Sequence, residues 1–188
     1  MKQSEALRTQ ARSDLDVAYE QLGGTKCSAE LRAHVVAKYQ QCVEKSVKAA
    51  IVALRDAGTV LSLAANKPAT ASKAPKTHEV AKLVAAILHA PKGTNLDPVT
   101  QMQTLFSKRG VEDAVKAIDA HAPAWPKIAG ALHARSTEYP FETAADQWKP
   151  PCNPDSFSAA DVTKAHKIAW QLFHALDKIV SALERVSP

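Results

Sequence analysis

The sequence predicts an all-α fold, an antiparallel up-and-down helical bundle in which two long helices frame several shorter ones. Hydrophobic residues make up 46% of the chain, yet it contains only 6 glycines and its aromatic content is 5%. Runs of β-branched and aromatic residues with strand-like alternation are almost absent. Apolar residues instead recur at spacings of three and four. A chain of 188 residues fits one domain, covering 1–188.

Two long helices are predicted from their apolar stripes. One of them, the second predicted helix in chain order, begins after Ser28 and extends to about residue 63, with a bend or break near Gly58. Its stripe contains Val36, Val43, Val47, Ala50, Leu54 and Leu61. The other is the final helix, which begins after Ser158 and extends to about residue 186. Because Asp161 follows Ser158 at the spacing of a capping box, this start is well defined.

Shorter helices are predicted between and before these two. One covers about residues 3–22 and ends at a pair of glycines, Gly23 and Gly24. Others cover about residues 77–90, 98–109, 111–121 and 125–138. The helix at residue 98 has a cap and an N-terminal proline in Asp97 and Pro98.

Two connections interrupt the helical pattern. Residues 65–77 contain prolines and no large apolar side chain, which predicts a flexible surface loop. Residues 139–157 hold four of the 11 prolines and several aromatic residues, so we expect a long irregular connection packed on the bundle. Long loops in compact domains are often functional.

Composition limits the classes of function. The three cysteines are widely spaced, which indicates neither a disulfide framework nor a metal knuckle and favours a reducing, cytoplasmic setting. The charged N-terminus and the lack of a long apolar run predict no membrane association. The seven histidines show no metal-ligand spacing, so we expect no metal and no cofactor. The net charge of +5 permits anionic partners.

One flank of the second predicted helix carries an acid and two cations, Glu44, Lys48 and Arg55. Glu44 and Lys48 have the spacing and orientation of a stabilising intrahelical ion pair. The same three residues could instead line a site beside the apolar stripe. The common nucleotide-loop, zincin and hydrolase signatures are absent from the sequence.

Four ordered blocks resemble a known family. They are Q-Q-C-V-E-K-S-V-K-A at 40–49, K-T-H-E-V-A-K-L-V-A-A-I-L at 76–88, an arginine with Tyr-Pro at Arg135, Tyr139 and Pro140, and S-A-A-D-V-T-K-A-H-K-I-A-W at 158–170. Together they resemble the HEPN family, named for higher eukaryotes and prokaryotes nucleotide-binding domains. The resemblance extends from about residue 12 to residue 186.

The resemblance implies an all-helical bundle that is frequently dimeric. Many HEPN relatives lie beside a nucleotidyltransferase partner or in toxin and phage-defence systems, and many are metal-independent ribonucleases. The nucleases carry an arginine and a histidine separated by four to six residues, with an acid on the second helix. Arg135 matches that arginine, Ser136 its polar neighbour and Glu44 the acid. The histidine is missing, and Tyr139 is the nearest polar aromatic residue.

That departure favours binding over cleavage. A tyrosine with an ordinary pKa of about 10 is a poor base, whereas arginine grips phosphate through two hydrogen bonds. The leading hypothesis is a module that binds RNA or nucleotide phosphate through Arg135, Tyr139, Lys48 and Arg55, with weak or no cleavage.

Two alternatives remain open. The first is a ribonuclease in which Arg135 and Glu44 act with His78 or His166 as the acid or base. The second is a structural protein that docks a partner chain through its apolar helix faces. RNA or a nucleotide is one expected partner. The expected protein partners are a second copy of this chain, which gives a homodimer, a nucleotidyltransferase or another protein.

Overall fold

A computed structural model describes residues 2–59, 61–64, 67–68, 79–91, 97–108, 110–119, 141–144, 147–149 and 157–186. It confirms the all-α fold. The helices are α1 (Gln3–Asp16), α2 (Arg32–Asp56), α3 (Val80–Leu88), α4 (Pro98–Phe106), α5 (Val111–Asp119) and α6 (Ala159–Val186). The predicted helix at about 125–138 lies outside the described residues.

The first predicted helix changes geometry before it ends. α1 is followed directly by one π-helical turn, Val17–Gln21, and the chain then reverses at Gly23, whose φ is 81°. A left-handed φ favours glycine because it lacks a Cβ. Short 3-10 turns, Gly24–Lys26 and Ala29–Leu31, lead into α2. The helix end at the glycine pair is therefore confirmed, and the π turn was not predicted.

The second predicted helix is shorter than expected. α2 ends at Asp56 rather than near residue 63, because Gly58 adopts a φ of 85° and closes the helix. The Gly58 amide donates to the Arg55 carbonyl at 2.8 Å, and the Thr59 amide donates to the Leu54 carbonyl at 2.8 Å. These two bonds form a Schellman motif, which satisfies carbonyls that the helix end would leave open.

Three helices of the bundle, α1, α2 and α6, have a defined direction relative to one another. Ser4 and Arg8 near the start of α1 bond to Glu184 and Asp177 near the end of α6, so these helices are antiparallel. α2 and α6 are parallel. Arg32 at the start of α2 donates to the Phe157 carbonyl just before α6 at 3.4 Å, and Tyr39 contacts His166 further along both helices. The largest fully buried side chains are Tyr39, Phe106, Phe157, Leu15, Ile51, Leu54, Leu61, Leu83, Ile87, Met102, Ile118 and Leu176.

The starts of α4 and α6 have the predicted caps. The Asp97 carboxylate accepts from the Val99 amide at 2.9 Å, with Pro98 in the first turn. At α6 the Asp161 carboxylate accepts from the Ser158 amide at 2.9 Å, and the Ser158 hydroxyl accepts from the Asp161 amide at 3.1 Å. Both helix starts are therefore confirmed, the second as a capping box with aspartate in the glutamate position.

Polar contacts connect the three short helices α3, α4 and α5. The Val80 amide at the start of α3 donates to Asp119 at the end of α5, at 2.5 Å. The Gln103 side-chain amide on α4 donates to the carbonyls of Ile87 at 3.0 Å and Ala90 at 2.8 Å, beyond the end of α3. Each bond satisfies a backbone group that a helix terminus would leave without a partner.

A short antiparallel pair of strands lies at or within each predicted connection. In the first, β1 (Ser62–Ala64) pairs with β2 (Lys67–Pro68); the other residues of 65–77 lie outside the described part of the chain. In the second, β3 (Phe141–Ala144) pairs with β4 (Gln147–Lys149). The described residues 141–144 and 147–149 of the proline-rich connection thus form an antiparallel strand pair rather than an irregular segment.

Candidate functional site

Glu44 and Lys48 form a buried ion pair inside the bundle. The Lys48 Nζ donates to the Glu44 Oε1 at 2.6 Å, and the two side chains are 10% and 5% exposed. The predicted intrahelical pair is confirmed. A phosphate reaching Lys48 would therefore have to compete with a carboxylate already in contact with the ammonium group.

Arg55 lies near the end of α2, seven residues beyond Lys48 and thus about 10 Å further along the helix axis. Its side chain is half-buried, and that burial lowers the pKa of the guanidinium group. The other predicted site residues, Arg135, Ser136, Tyr139 and His78, lie outside the described residues. Their grouping with Glu44, Lys48 and Arg55 stays a prediction.

His166 lies in an aromatic cluster that joins three helical segments. Its Nδ1 is 3.0 Å from the phenolic oxygen of Tyr39 on α2, which is fully buried. Tyr19 in the π turn stacks on the imidazole, with ring centroids 5.2 Å apart and planes 20° apart. Trp170, one turn further along α6, has its ring centroid 6.0 Å from that of His166.

The cluster continues along α6 to the surface. The ring centroids of Trp170 and His174 are 4.4 Å apart in an edge-on arrangement. Tyr19 is 52% exposed and Trp170 is 44% exposed, and they are the exposed large hydrophobic residues of the described chain. We call Tyr19, His166, Trp170 and His174 the aromatic surface. Exposed apolar rings that adjoin one another can mark a binding site.

Burial determines the charge states of His166 and of Tyr39, which lies beneath it. It lowers the pKa of the His166 imidazole, and it raises the pKa of the Tyr39 phenol well above its ordinary value. Near neutral pH the imidazole is therefore uncharged and the phenol keeps its proton. Their contact is a hydrogen bond between two neutral groups, and it fixes the His166 ring from below.

The backbone before α2 positions Tyr19. A Cβ built on Gly24 would lie 3.0 Å from the Tyr19 Cδ2 atom, and the φ of Gly24 is +50°. A side chain at this position would displace the Tyr19 ring. Glycine at position 24 therefore allows the turn to close against the aromatic surface.

This surface was not predicted from the sequence as a unit, although His166 was a candidate site residue. A signal was present, because His166, Trp170 and His174 follow one another at four-residue spacing and so share a helix face. Nothing local indicated that Tyr19 and Tyr39 would meet that face. Lys167 is exposed on the same helix, three residues before Trp170.

Among the described residues, no group of three histidine, cysteine or acidic side chains could hold a metal ion. None of the described helices combines the length and the apolar character needed to cross a membrane. Comparisons of the chain with protein-family models, with curated proteins and with solved structures gave no match.

Proposed function

We propose that this chain is a HEPN-like helical module that binds RNA or nucleotide phosphate, with weak or no cleavage. The observation that supports it best is the aromatic surface, in which Tyr19 and Trp170 are exposed at 52% and 44% beside His166 and His174. The four sequence blocks that resemble the HEPN family support the same proposal. The resemblance to the HEPN family also implies a role in a toxin or phage-defence system.

The physical basis is stacking. Each base that stacks on an aromatic side chain contributes about 1–3 kcal/mol, and every base has a face that can stack. Lys167, exposed one turn before Trp170, adds a cation within reach of a phosphate group beside the stacked base. The net charge of +5 adds a long-range attraction for polyanions.

A ribonuclease is the second candidate, and one feature of His166 favours it. Burial lowers the pKa of this imidazole, so its base form is the main form near neutral pH. General-base catalysis of RNA cleavage needs an imidazole in that form. In this alternative Arg135 would hold the scissile phosphate, and Glu44 and His78 would remain the other assigned residues.

A partner-docking role is the third candidate, since the same exposed rings of Tyr19 and Trp170 could be covered by a protein chain. The candidate chains are a second copy of this protein, a nucleotidyltransferase or another protein. We place all three candidates in a reducing cytoplasmic setting, in keeping with the free thiols of Cys27 and Cys42.

An electrophoretic shift assay with total RNA, followed by denaturing gels of the same samples, separates the candidates. Our proposal predicts a shift with little or no cleavage product. Cleavage by the wild-type protein that is lost in both Arg135→Ala and His166→Ala would favour the ribonuclease. Absence of any shift, with a sedimentation mass above 20.2 kDa, would favour the docking role and contradict our proposal.

A further inference from the structure

A cleft of about 470 Å³ lies between α6 and the pair α4–α5. Its floor is apolar: Ile168 and Leu172 on α6 are buried there, and Leu105 and Val111 close the opposite side. Pockets of roughly 300–1,000 Å³ with an apolar lining and a few polar groups are the usual sites for small ligands. The cleft has the size and the floor of such a site.

The rim of the cleft is polar, with two lysines, one glutamine and one aspartate. Lys164 and Lys167 on α6 are exposed at one side, with Gln171 beyond them, and Asp113 on α5 is exposed at the other side. Lys164 and Lys167 are three residues apart, so their ammonium groups extend from the same helix face. Within the part of the chain that the structure describes, neither lysine forms an ion pair.

Two adjacent cations without a counter-charge favour an anion between them. Lysine is a common phosphate binder that acts as a point charge. Asp113, across the opening, would repel that anion if it lay close, but its carboxylate can accept hydrogen bonds from hydroxyl or amino groups. The rim therefore suits a ligand with an anionic end and a polar donor end, and the floor suits a planar apolar ring.

The cleft and the aromatic surface meet on α6. Lys167 lines the cleft, and Trp170 lies three residues further along on the neighbouring face of the same helix. A phosphate held at Lys164 and Lys167 would thus lie close to a base stacked on Trp170. One RNA strand can therefore contact both the cleft and the aromatic surface.

We propose that the cleft binds a nucleoside monophosphate, with the phosphate at Lys164 and Lys167, the base on the floor of Ile168 and Leu172, and a sugar hydroxyl or base amino group donating to Asp113. The nucleotide is either free or the terminal residue of an RNA strand. This inference rests on the proposed function and assigns a ligand class to a second part of the same surface.

Isothermal titration with a nucleoside 5′-monophosphate, the matching nucleoside and inorganic phosphate tests the proposal. We expect the wild-type protein to bind the monophosphate at least about tenfold more tightly than either part, because both ends of the ligand are then engaged. Two variants test the location. Lys167→Glu removes one rim cation, and Ala114→Leu fills the cleft without changing the charge.

Lys178→Glu is the matched control, because Lys178 is exposed on α6 away from the cleft and the charge change is identical. We expect Lys167→Glu to weaken monophosphate binding by about tenfold, as for the loss of one charge-assisted hydrogen bond, and Lys178→Glu to leave it nearly unchanged. Equal effects of the two substitutions would overturn the assignment. Circular dichroism checks the fold of Ala114→Leu, and Lys167→Glu decides the question if that variant unfolds.

Different results would contradict the cleft assignment and the proposed function. If labelled single-stranded RNA binds and depends on Trp170 while the monophosphate does not bind, the cleft assignment is wrong and the proposed function stands. If the monophosphate binds in the cleft and competes with RNA, the natural ligand is a strand terminus. If both bind together, it is a free nucleotide.

Discussion

The imidazole Nδ1 of His166 lies 3.0 Å from the phenolic oxygen of Tyr39, joining the exposed aromatic surface to a fully buried residue of α2. The two residues are 127 positions apart in the chain. Through this contact, the position of the rings on α6 depends on the packing of the bundle core. A site on this surface is therefore anchored to the buried core of the bundle.

The burial of His166 makes stability depend on pH. The pKa of His166 in the folded protein lies below the ordinary histidine value of 6.5, because burial disfavours the charged ring. The unfolded chain thus binds more protons than the native one as the pH falls through that value. We expect the free energy of unfolding to be highest above pH 6.5 and to decrease on acidification.

Urea unfolding between pH 7.5 and pH 5 measures this dependence. His166→Phe keeps a ring against Tyr19 and cannot titrate, so its free energy of unfolding should fall less steeply than that of the wild-type protein. His34, exposed on α2, gives the control His34→Gln, which should keep the wild-type slope. Equal slopes for wild-type and His166→Phe would show that the pH dependence has another source.

Asp14 stabilises the contact between α1 and α2. Its side chain is 2% exposed, accepts from Lys38 Nζ at 3.1 Å and also pairs with Lys45. Asp14→Asn should lower the free energy of unfolding by about 2 kcal/mol, less than for a fully buried pair because both lysines can reach water once released.

Asp16 provides the comparison. It pairs with Arg12 at 3.0 Å, and the arginine and aspartate side chains are 52% and 40% exposed, so Asp16→Asn should change stability by less than about 0.5 kcal/mol. Chemical denaturation of both variants at neutral pH checks the difference. Similar losses in the two variants would contradict the role given to Asp14.

Substitutions of Glu44 and Lys48 test whether their buried ion pair has only a structural role or also serves a binding site. Glu44→Gln leaves an ammonium group buried without its carboxylate, and we expect a loss of about 3 kcal/mol in the free energy of unfolding. A double variant, Glu44→Leu with Lys48→Met, should recover most of that loss, because an apolar pair of similar volume needs no charge compensation.

The double variant also tests the HEPN-like assignment. If Glu44 and Lys48 serve a site, the double variant should fold and yet bind RNA more weakly than the wild-type protein. Glu112→Gln, which removes an exposed pair with Lys116 on α5, should leave both stability and binding close to wild type. Unchanged RNA binding by a folded double variant would limit the pair to a structural role.

Features determined by a few neighbouring residues could be predicted from the sequence. The cap at Asp97 and Pro98 and the capping box of Ser158 and Asp161 depend only on local backbone geometry, and both were predicted correctly. Gly58 was recognised as a break, although the helix was extended past it. The apolar residues that follow continued the helical period, and periodicity alone does not show a left-handed residue.

Features that depend on how helices rotate against one another could not be predicted in this way. Tyr19, which stacks on His166, lies within the π turn, where side-chain directions differ from those of a regular helix. The two lysines that reach Asp14 come from a different helix, and sequence spacing did not indicate their partner. Arg135, Tyr139 and His78 lie outside the described residues, so their part of the predicted site stays a prediction.

We expect the aromatic surface to bind RNA through stacking on Trp170. Fluorescence anisotropy with a labelled single-stranded RNA, at one fixed salt concentration, measures the Kd of wild-type, Trp170→Ala and Trp170→Phe proteins. We predict that Trp170→Ala weakens binding by about tenfold, whereas Trp170→Phe, which keeps an aromatic face, binds within about threefold of the wild-type protein. No binding by the wild-type protein, or the same Kd for wild-type and Trp170→Ala, would contradict the claim.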